Sequence, residues 1–558
     1  MTVWIPLEVR LRLRDAFEVQ QRARVYLGAG GPREITAREL RTIIEHSPPG
    51  LQRQGVMPRI LFFNLRDWPG EVALMATLAR ALMLRGAHCT FLTCGGGLPA
   101  CDAVSIQAPV LPPCHSCSYN GVRWLEALRL PHHPRREFVK DAAVRQAQRR
   151  CATLSGVECE AFTYHGVPLG RLIDVSVAWI LRRETSTALA ADEALSLYRN
   201  LLASGIVAVQ WLEEALHRLQ PDILFMPSGL FFAEAIAAHL AEREGIPYTT
   251  FEGGLRGGTW AFAHDAPAGH WDHITDVWPA VALQPLSRDD EERLDSHLLD
   301  RQQGGADGSY LSQKRGSEPD NIILSLGLRQ DLPTVVAFPN ITWDSAGQKR
   351  DVAFSGMIDW LFSTVEVFLR RPDWQLIIRA HPAEASYHRS RTNEPVLDRL
   401  RARFPVLPDN IRLIAPEQPL NSYTIMRQVT AGIVNTSTTG LEMALMGKPV
   451  CVAGQVHYRG RGFTIDVLQR EELTAALELA LAKRALTSAE CDLARRYAFH
   501  IAFRLSVPTP WLSWHGDGAY TRLAVQSLSD LQPGVLPELD FICERLLSRQ
   551  PIILPGDL

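Results

Sequence analysis

Three stretches of this 558-residue chain gather side chains that can move protons or hold phosphate. In Phe251-Glu252-Gly253-Gly254-Leu255-Arg256-Gly257-Gly258 one carboxylate stands among four glycines. Glycines let a backbone come close to a ligand, and Glu252 there is a candidate general base. A solvated carboxylate in a flexible loop fits the same residues. His264-Asp265, a little further on, makes Asp265 the second candidate base. In Arg379-Ala380-His381-Pro382 the proline disfavours helical geometry at His381. A cation or imidazole placed there can neutralise or protonate a departing phosphate. In Asn435-Thr436-Ser437-Thr438-Thr439-Gly440-Leu441-Glu442, hydroxyls, a glycine and an acid follow one another. Free backbone N–H groups with Ser437, Thr438 and Thr439 suit phosphate oxygens, and Glu442 suits sugar hydroxyls. An N-capped helix with an acid in its first turn is the plainer reading of that stretch. Asn340, opening Asn340-Ile341-Thr342-Trp343-Asp344, is a further candidate contact to phosphate or sugar.

Cysteines form a separate group. Cys94, Cys101, Cys114 and Cys117 fall in a loop rich in Gly and Pro at residues 94–117. Four soft ligands could hold a structural zinc ion or an iron–sulfur cluster, and small buried thiols are the alternative. The other six cysteines are scattered.

These residues need elements to carry them. Arg59–Asn64 is a short apolar run, Val72–Gly86 has helical periodicity, and Ala87–Thr93 reads as a strand. That βαβ opening predicts a parallel sheet. The grammar returns at Trp211–Leu219 (helix), Ile223–Met226 (strand), Phe232–Glu244 (helix) and Tyr248–Phe251 (strand). After a polar Gly/Ser-rich stretch it restarts with strands at Thr334–Phe338, Gln375–Arg379, Ala431–Val434 and Lys448–Val452. Helices are expected at Phe354–Leu369 and Thr439–Met446. The fold class is therefore α/β, with two doubly wound Rossmann-like domains. The expected division is a helical N-terminal extension (1–55), a first domain (56–300), a linker (301–332), a second domain (333–485) and a helical C-terminal tail (486–558). Ligands of such sheets bind at the carboxyl ends of the strands, where the candidate residues fall.

Composition narrows the class. There are 58 Lys+Arg against 61 Asp+Glu, a net charge of −3, so no basic balance points to nucleic acid as a partner. With 46% hydrophobic and 21% charged residues the chain is an ordinary globular mixture. No apolar run reaches the roughly 20 residues that span a bilayer, and residues 1–27 lack a secretory h-region. Ten cysteines in a chain this long suit a reducing cytoplasm.

Together the motifs resemble those of the capsule-polysaccharide biosynthesis glycosyltransferases, which include bacterial Kdo transferases and, more distantly, sialyltransferases and teichoic-acid polymerases. Phe251 to Arg256 looks like the family's acidic-Gly motif, with Gly253 at a second acidic position. Arg379 to Pro382 is similar to its His-Pro motif. The Ser/Thr loop with Glu442 and the stretch His457 to Thr464 look like its nucleotide side. The resemblance implies a GT-B enzyme with two domains facing across a cleft. The donor would be a nucleotide-sugar, a CMP-sugar such as CMP-Kdo, held by Arg379, Pro382, Asn340, Ser437, Thr438, Thr439, Gly440, Glu442 and His457 in the second domain. His381 would assist departure of the nucleotide, and Glu252 or Asp265 in the first, acceptor-side domain would take the acceptor's proton. The acceptor would be a glycan or lipid-linked saccharide, which allows contact with the inner membrane or a polysaccharide assembly. No metal is expected in catalysis. A nucleotide-sugar epimerase of the same fold and a non-catalytic binding scaffold remain alternatives.

Overall fold

The computed structural model describes residues 57–103, 114–184, 192–303, 319–385, 391–515, 520–525 and 527–555. The expected N-terminal extension, and residues 304–318 of the expected linker, lie outside the described residues. The chain divides into two compact units.

The first unit takes the chain up to Leu181, Thr185–His273 and Arg504 onward. Its strands are β1 (Arg59–Asn64), β2 (His88–Thr93), β3 (His132–Pro134), β4 (Ile223–Pro227), β5 (Tyr248–Gly253) and β6 (Thr259–His264). The helices that matter here are α1 (Pro69–Leu84), α2 (Cys114–Ala127), α3 (Asp192–Leu219) and α4 (Phe232–Glu244). Among the described residues the sheet runs β13-β6-β5-β4-β1-β2-β3, β13 being Val507–Pro508. Strands β3, β2, β1, β4 and β5 are parallel, β6 is antiparallel to β5, and β13 at the edge is antiparallel to β6.

Apolar runs form these strands because both faces are covered. Along β1, Leu61 and Phe63 enter one core with Trp211 and Ile236, while Ile60 and Phe62 enter another with Leu74 and Trp511. That alternation is the two-residue period of a strand. Pro69 starts α1 where its missing N–H costs nothing, and Gly245, with φ 66°, ends α4 in the left-handed region. β1 neighbours both β2 and β4, so chain order reverses direction there and the carboxyl ends of β1 and β4 bracket the natural ligand position.

The second unit comprises Arg182–Glu184 and Ile274–Phe503. Its strands are β7 (Thr334–Phe338), β8 (Gln375–Arg379), β9 (Ile411–Ile414), β10 (Ala431–Val434), β11 (Val450–Val452) and β12 (Ile465–Asp466). Their order is β12-β11-β10-β7-β8-β9, parallel throughout. The point of reversal is between β7 and β10. Helices α5 (Arg288–Gln302), α6 (Met357–Leu369), α7 (Thr439–Leu445), α8 (Leu473–Lys483) and α9 (Ser488–Phe499) belong to this unit.

Three segments depart from the sequence reading. Residues 274–300, expected in the first domain, belong to the second unit. The glycine stretch is a β-hairpin rather than an open loop: Glu252 and Gly253 still pair in β5, opposite Ala261 and Trp260. Residues 486–558 are not only helical. After α9 the chain joins the first unit, supplies β13 and the hairpin Leu512–His515 with Tyr520–Leu523, and ends in α10 (Pro537–Ser548).

Candidate functional site

In the second unit the motifs cluster at the carboxyl ends of β7, β8 and β10. His381 follows β8 and caps a short helical turn that begins at Pro382, its Nδ1 accepting the Ala383 N–H at 3.2 Å. Burial, reinforced by Arg379, pulls the imidazole down to about 4, so it is neutral at pH 7. Because Nδ1 accepts, the proton sits on Nε2. As it stands His381 is thus a neutral hydrogen-bond donor, able to steady the charge of a departing phosphate through Nε2–H.

Arg379 is spoken for. Its guanidinium is buried and donates to the carbonyls of Ala415, Gln418 (3.1 Å) and Leu420 (3.4 Å). It ties β8 to the loop after β9, and burial lowers its pKa to about 10.

After β7, Asn340 donates from Nδ2 to Asp344 at 2.5 Å, and its Oδ1 accepts the Ile341 N–H. Burial raises the Asp344 carboxyl. Opposite, after β10, the Ser437 and Thr439 hydroxyls bond each other at 2.8 Å, and Thr438 is exposed. The two loops come together at Gly347, where an added Cβ would stand 3.0 Å from Thr436 Oγ1 and 3.7 Å from Asn340 Nδ2. The expected phosphate contacts therefore do share one place in the unit.

Three of the expected ligands also have structural work. A Cβ on Gly440 would meet the Tyr458 hydroxyl at 2.1 Å, so only glycine leaves room for that buried ring, which donates to Ser437 O. Glu442 accepts from Arg301, at the end of α5, at 2.7 Å, and both bond Tyr423. His457 is buried and stacks on Tyr497. The Tyr497 hydroxyl gives its one proton to His457 O at 2.8 Å, so His457 Nδ1, 2.9 Å away, is the donor of that pair.

In the first unit Glu252 is at the carboxyl end of β5, partly exposed, with Oε1 accepting the Gly253 N–H at 3.2 Å. A Cβ on Gly254 would come within 2.1 Å of Thr259 Oγ1, which explains the glycine at the turn. Asp265 lies elsewhere. It follows β6, accepts the Tyr248 N–H at 2.8 Å and pairs with Arg549 at 2.5 Å, at the opposite end of β5. Four strand steps separate Tyr248 from Glu252, roughly 13 Å. The antiparallel hairpin carries Asp265 away from the carboxyl ends, so the two candidate bases are not interchangeable.

Sequence reading missed a buried charge cluster beside Glu252. Arg66, after β1, lies between the Trp68 and Phe231 rings at 4.3 and 4.7 Å. It pairs with Asp102 at 3.1 Å, from the loop after β2, and with Glu234 at 2.7 Å, in the first turn of α4. Glu71, in the first turn of α1, is 8% exposed, and its Oε2 is buried without a hydrogen-bond partner. Burial pushes Glu71 up to about 8 and Glu234 to about 7. The signal in the sequence was an acid inside an apolar helical run straight after a strand, as in Phe231-Phe232-Ala233-Glu234-Ala235-Ile236.

The four cysteines line one small open pocket with Asn64, Arg66 and Thr93. Among the described residues, no three His, Cys, Asp or Glu side chains stand close enough to hold a metal ion. Burial pushes Cys94 up to about 11, and Cys101 and Cys117 rise too. Burial favours the neutral thiol at these positions, and a metal ion would have to displace those protons to bind. The spacing brought the thiols to one wall without making a ligand set.

Residues 350–497 match the family described as "Capsule polysaccharide biosynthesis protein". The stretch holds His381, the Ser/Thr loop, Glu442 and His457, and the match bears out the resemblance over that part of the chain. The second unit thus carries a capsule-synthesis type of sequence on a parallel α/β sheet. No curated protein matches the chain. Solved structures with some similarity include two KpsC transferases of Thermosulfurimonas dismutans. For the "beta Kdo 2,7 transferase" the identity is 14%, over 51% of this chain and 80% of that one, with a TM-score of 0.30. For the "beta Kdo 2,4 transferase" it is 15%, over 56% and 87%, with 0.33. S. aureus MnaA with UDP gives 12%, over 80% and 93%, with 0.27. These likenesses are too slight to define a fold, which the strand orders define by themselves. Among the described residues no helix is long and apolar enough to cross a membrane.

Proposed function

We propose that the chain is a GT-B glycosyltransferase. It moves a sugar from a nucleotide-sugar, a CMP-sugar such as CMP-Kdo, to a surface-polysaccharide or glycan acceptor, which can be lipid-linked. The observation that carries this reading is the convergence of Asn340, His381 and Ser437–Thr439 on the carboxyl ends of β7, β8 and β10, within or next to the stretch that matches capsule-synthesis proteins. Phosphate oxygens would take the Nε2–H of His381 and the hydroxyls after β10. As the bond from the anomeric carbon to the phosphate breaks, negative charge grows on those oxygens, and donors fixed beforehand stabilise it. Glu252 would accept the proton of the acceptor hydroxyl while that oxygen attacks the anomeric carbon. No step in this reading uses a metal ion.

The experiment has two arms. Thermal unfolding with CMP, CDP, UDP or GDP identifies the nucleotide, because a ligand bound only by the folded chain raises its stability. Transfer from the matching nucleotide-sugar is then assayed with and without a saccharide acceptor. Turnover of the donor alone into an epimer, or binding with no turnover, would replace transfer by epimerisation or by a binding role. Glu252→Gln should abolish transfer and leave donor binding in place.

A further inference from the structure

Arg182–Glu184 fold with the second unit, although the chain on either side of them belongs to the first. Their contacts lead into the candidate donor site. The Arg182 guanidinium carbon lies 4.1 Å over the Trp343 ring, and Arg182 O accepts the Asn393 N–H at 2.9 Å. Trp343 shares the loop after β7 with Asn340, and its Nε1–H donates to the Thr392 hydroxyl at 2.9 Å. A peptide bond joins Thr392 to Asn393, so Arg182, Trp343, Thr392 and Asn393 close a ring. A branch runs from it to the other motif. Thr392 N–H donates to Glu384 O at 3.0 Å, and Glu384 N–H donates to His381 O at 2.9 Å. Arg182, Trp343, Thr392 and Glu384 are each at most 5% exposed, which keeps water from competing for these contacts. Thr392 is thus bonded to both loops, through its hydroxyl to the one after β7 and through its N–H to the His381 turn.

We propose that Arg182 and Thr392 are positioning residues of the donor site: their ring holds the loop after β7 against the His381 turn, and so sets how Asn340 and the His381 Nε2–H meet one phosphate. This rests on the transferase reading above and deepens it. Donors help a developing charge only when they are aimed before the reaction, and here two loops from different strands must be aimed together. Thr392 supplies the join. Arg182 closes it with a part that a lysine could not copy, since a planar guanidinium stacks on an indole face and an ammonium does not. Arg182 also lies outside residues 350–497, so the stretch that matches capsule-synthesis proteins does not by itself contain everything that shapes its loops.

The test uses the full chain as wild type, Arg182→Ala, Arg182→Lys, Thr392→Val, Thr392→Ser and the double variant Arg182→Ala/Thr392→Val. With the indole nitrogens isotope-labelled, the magnetic-resonance signal missing in Trp343→Phe is that of Trp343. In Thr392→Val and Arg182→Ala it should shift and exchange faster with solvent, and no substrate is needed to see it. A Trp343 signal that ignores both variants overturns the ring. In the transfer assay Thr392→Val and Arg182→Ala should each lower kcat roughly 10- to 100-fold, the scale of a misplacement of about 1 Å. The double variant should lose no more than the worse single one, because each opens the same ring. Thr392→Ser restores the acceptor and should recover most of the rate, while Arg182→Lys recovers little. A lower unfolding temperature with wild-type kcat would show that the ring serves the fold alone, and it overturns the positioning role, as do losses that multiply in the double variant. Should Arg182→Ala not fold, Thr392→Val and Thr392→Ser decide by themselves. If the wild type transfers no sugar, the transferase reading fails, and thermal stabilisation by CMP, CDP, UDP or GDP decides instead. A smaller shift in Thr392→Val that Thr392→Ser restores supports the ring, and equal shifts in all variants overturn it.

Discussion

His381→Ala separates two ways in which a histidine can help a leaving group. A general acid must be protonated to act, and a group that titrates at about 4 is protonated in only about one molecule in 10³ at pH 7. The same ring, with Nδ1 already accepting from Ala383 N, has Nε2–H to offer at every pH above that value. Its contribution is then one hydrogen bond to a charged phosphate, about 1.5–3 kcal/mol. At 1.36 kcal/mol per tenfold this predicts that His381→Ala lowers kcat roughly 10- to 160-fold. The assay is initial-rate transfer over about pH 5 to 9, with kcat and kcat/KM fitted separately. The wild-type profile should show no limb near 6.5 that vanishes in the variant, and His381→Asn, which keeps an N–H donor, should recover part of the rate. A loss beyond about 10³-fold, together with a limb near 6.5 that the variant removes, would refute the neutral donor and restore the acid.

Glu442→Ala and Arg301→Ala should each cost about 2 kcal/mol in unfolding, because each leaves the other charge without its partner, and Glu442→Ala should also raise donor KM. An unchanged unfolding transition in both would mean the pair is not formed. Gly440→Ala should destabilise by about 1–3 kcal/mol through the clash with Tyr458, and in the Tyr458→Phe background it should cost less, since the nearest clashing atom is the hydroxyl. Asp265→Asn should weaken stability through Tyr248 and Arg549 yet leave the transfer rate near normal; a rate loss to match that of Glu252→Gln would show it acting on substrate. Metal analysis of protein prepared without chelator should find well under one zinc or iron per chain, and a stoichiometric ion would show the four thiols closing on it.

Strands were legible wherever an apolar run was covered on both faces. Arg59–Asn64, Thr334–Phe338, Gln375–Arg379 and Ala431–Val434 stand as the pattern predicts, since burial alone specifies them. β3 and β12 were not legible. His132–Pro134 and Ile465–Asp466 are short edge strands whose pairing comes from their neighbours, not from their own pattern. Motif positions survived folding better than motif roles. Gly440 was read for a ligand and makes room for Tyr458, and Arg379 was read for phosphate and holds carbonyls. Such partners are distant in sequence, and one residue's neighbourhood cannot announce them. Glu71 shows the converse: nothing in Trp68-Pro69-Gly70-Glu71 hints at charge until the sheet brings Arg66, Glu234 and Glu252 around it.

The first unit is built from the two ends of the chain. Val507, Trp511, Leu528, Leu539 and Ile542 pack into the same core as Phe62 and Leu74, while Ile274–Phe503 folds as a separate body in between. On the ribosome this imposes a wait. About 230 residues must emerge between His273 and Arg504. At 5–20 residues per second, that is roughly 10 to 50 s in which β6 is an open sheet edge and one face of α1 lacks its cover. A nascent chain in that interval is exposed to chaperones or to aggregation. The C-terminal segment, remote from every motif in sequence, decides when the Glu252 side of the protein becomes a finished structure.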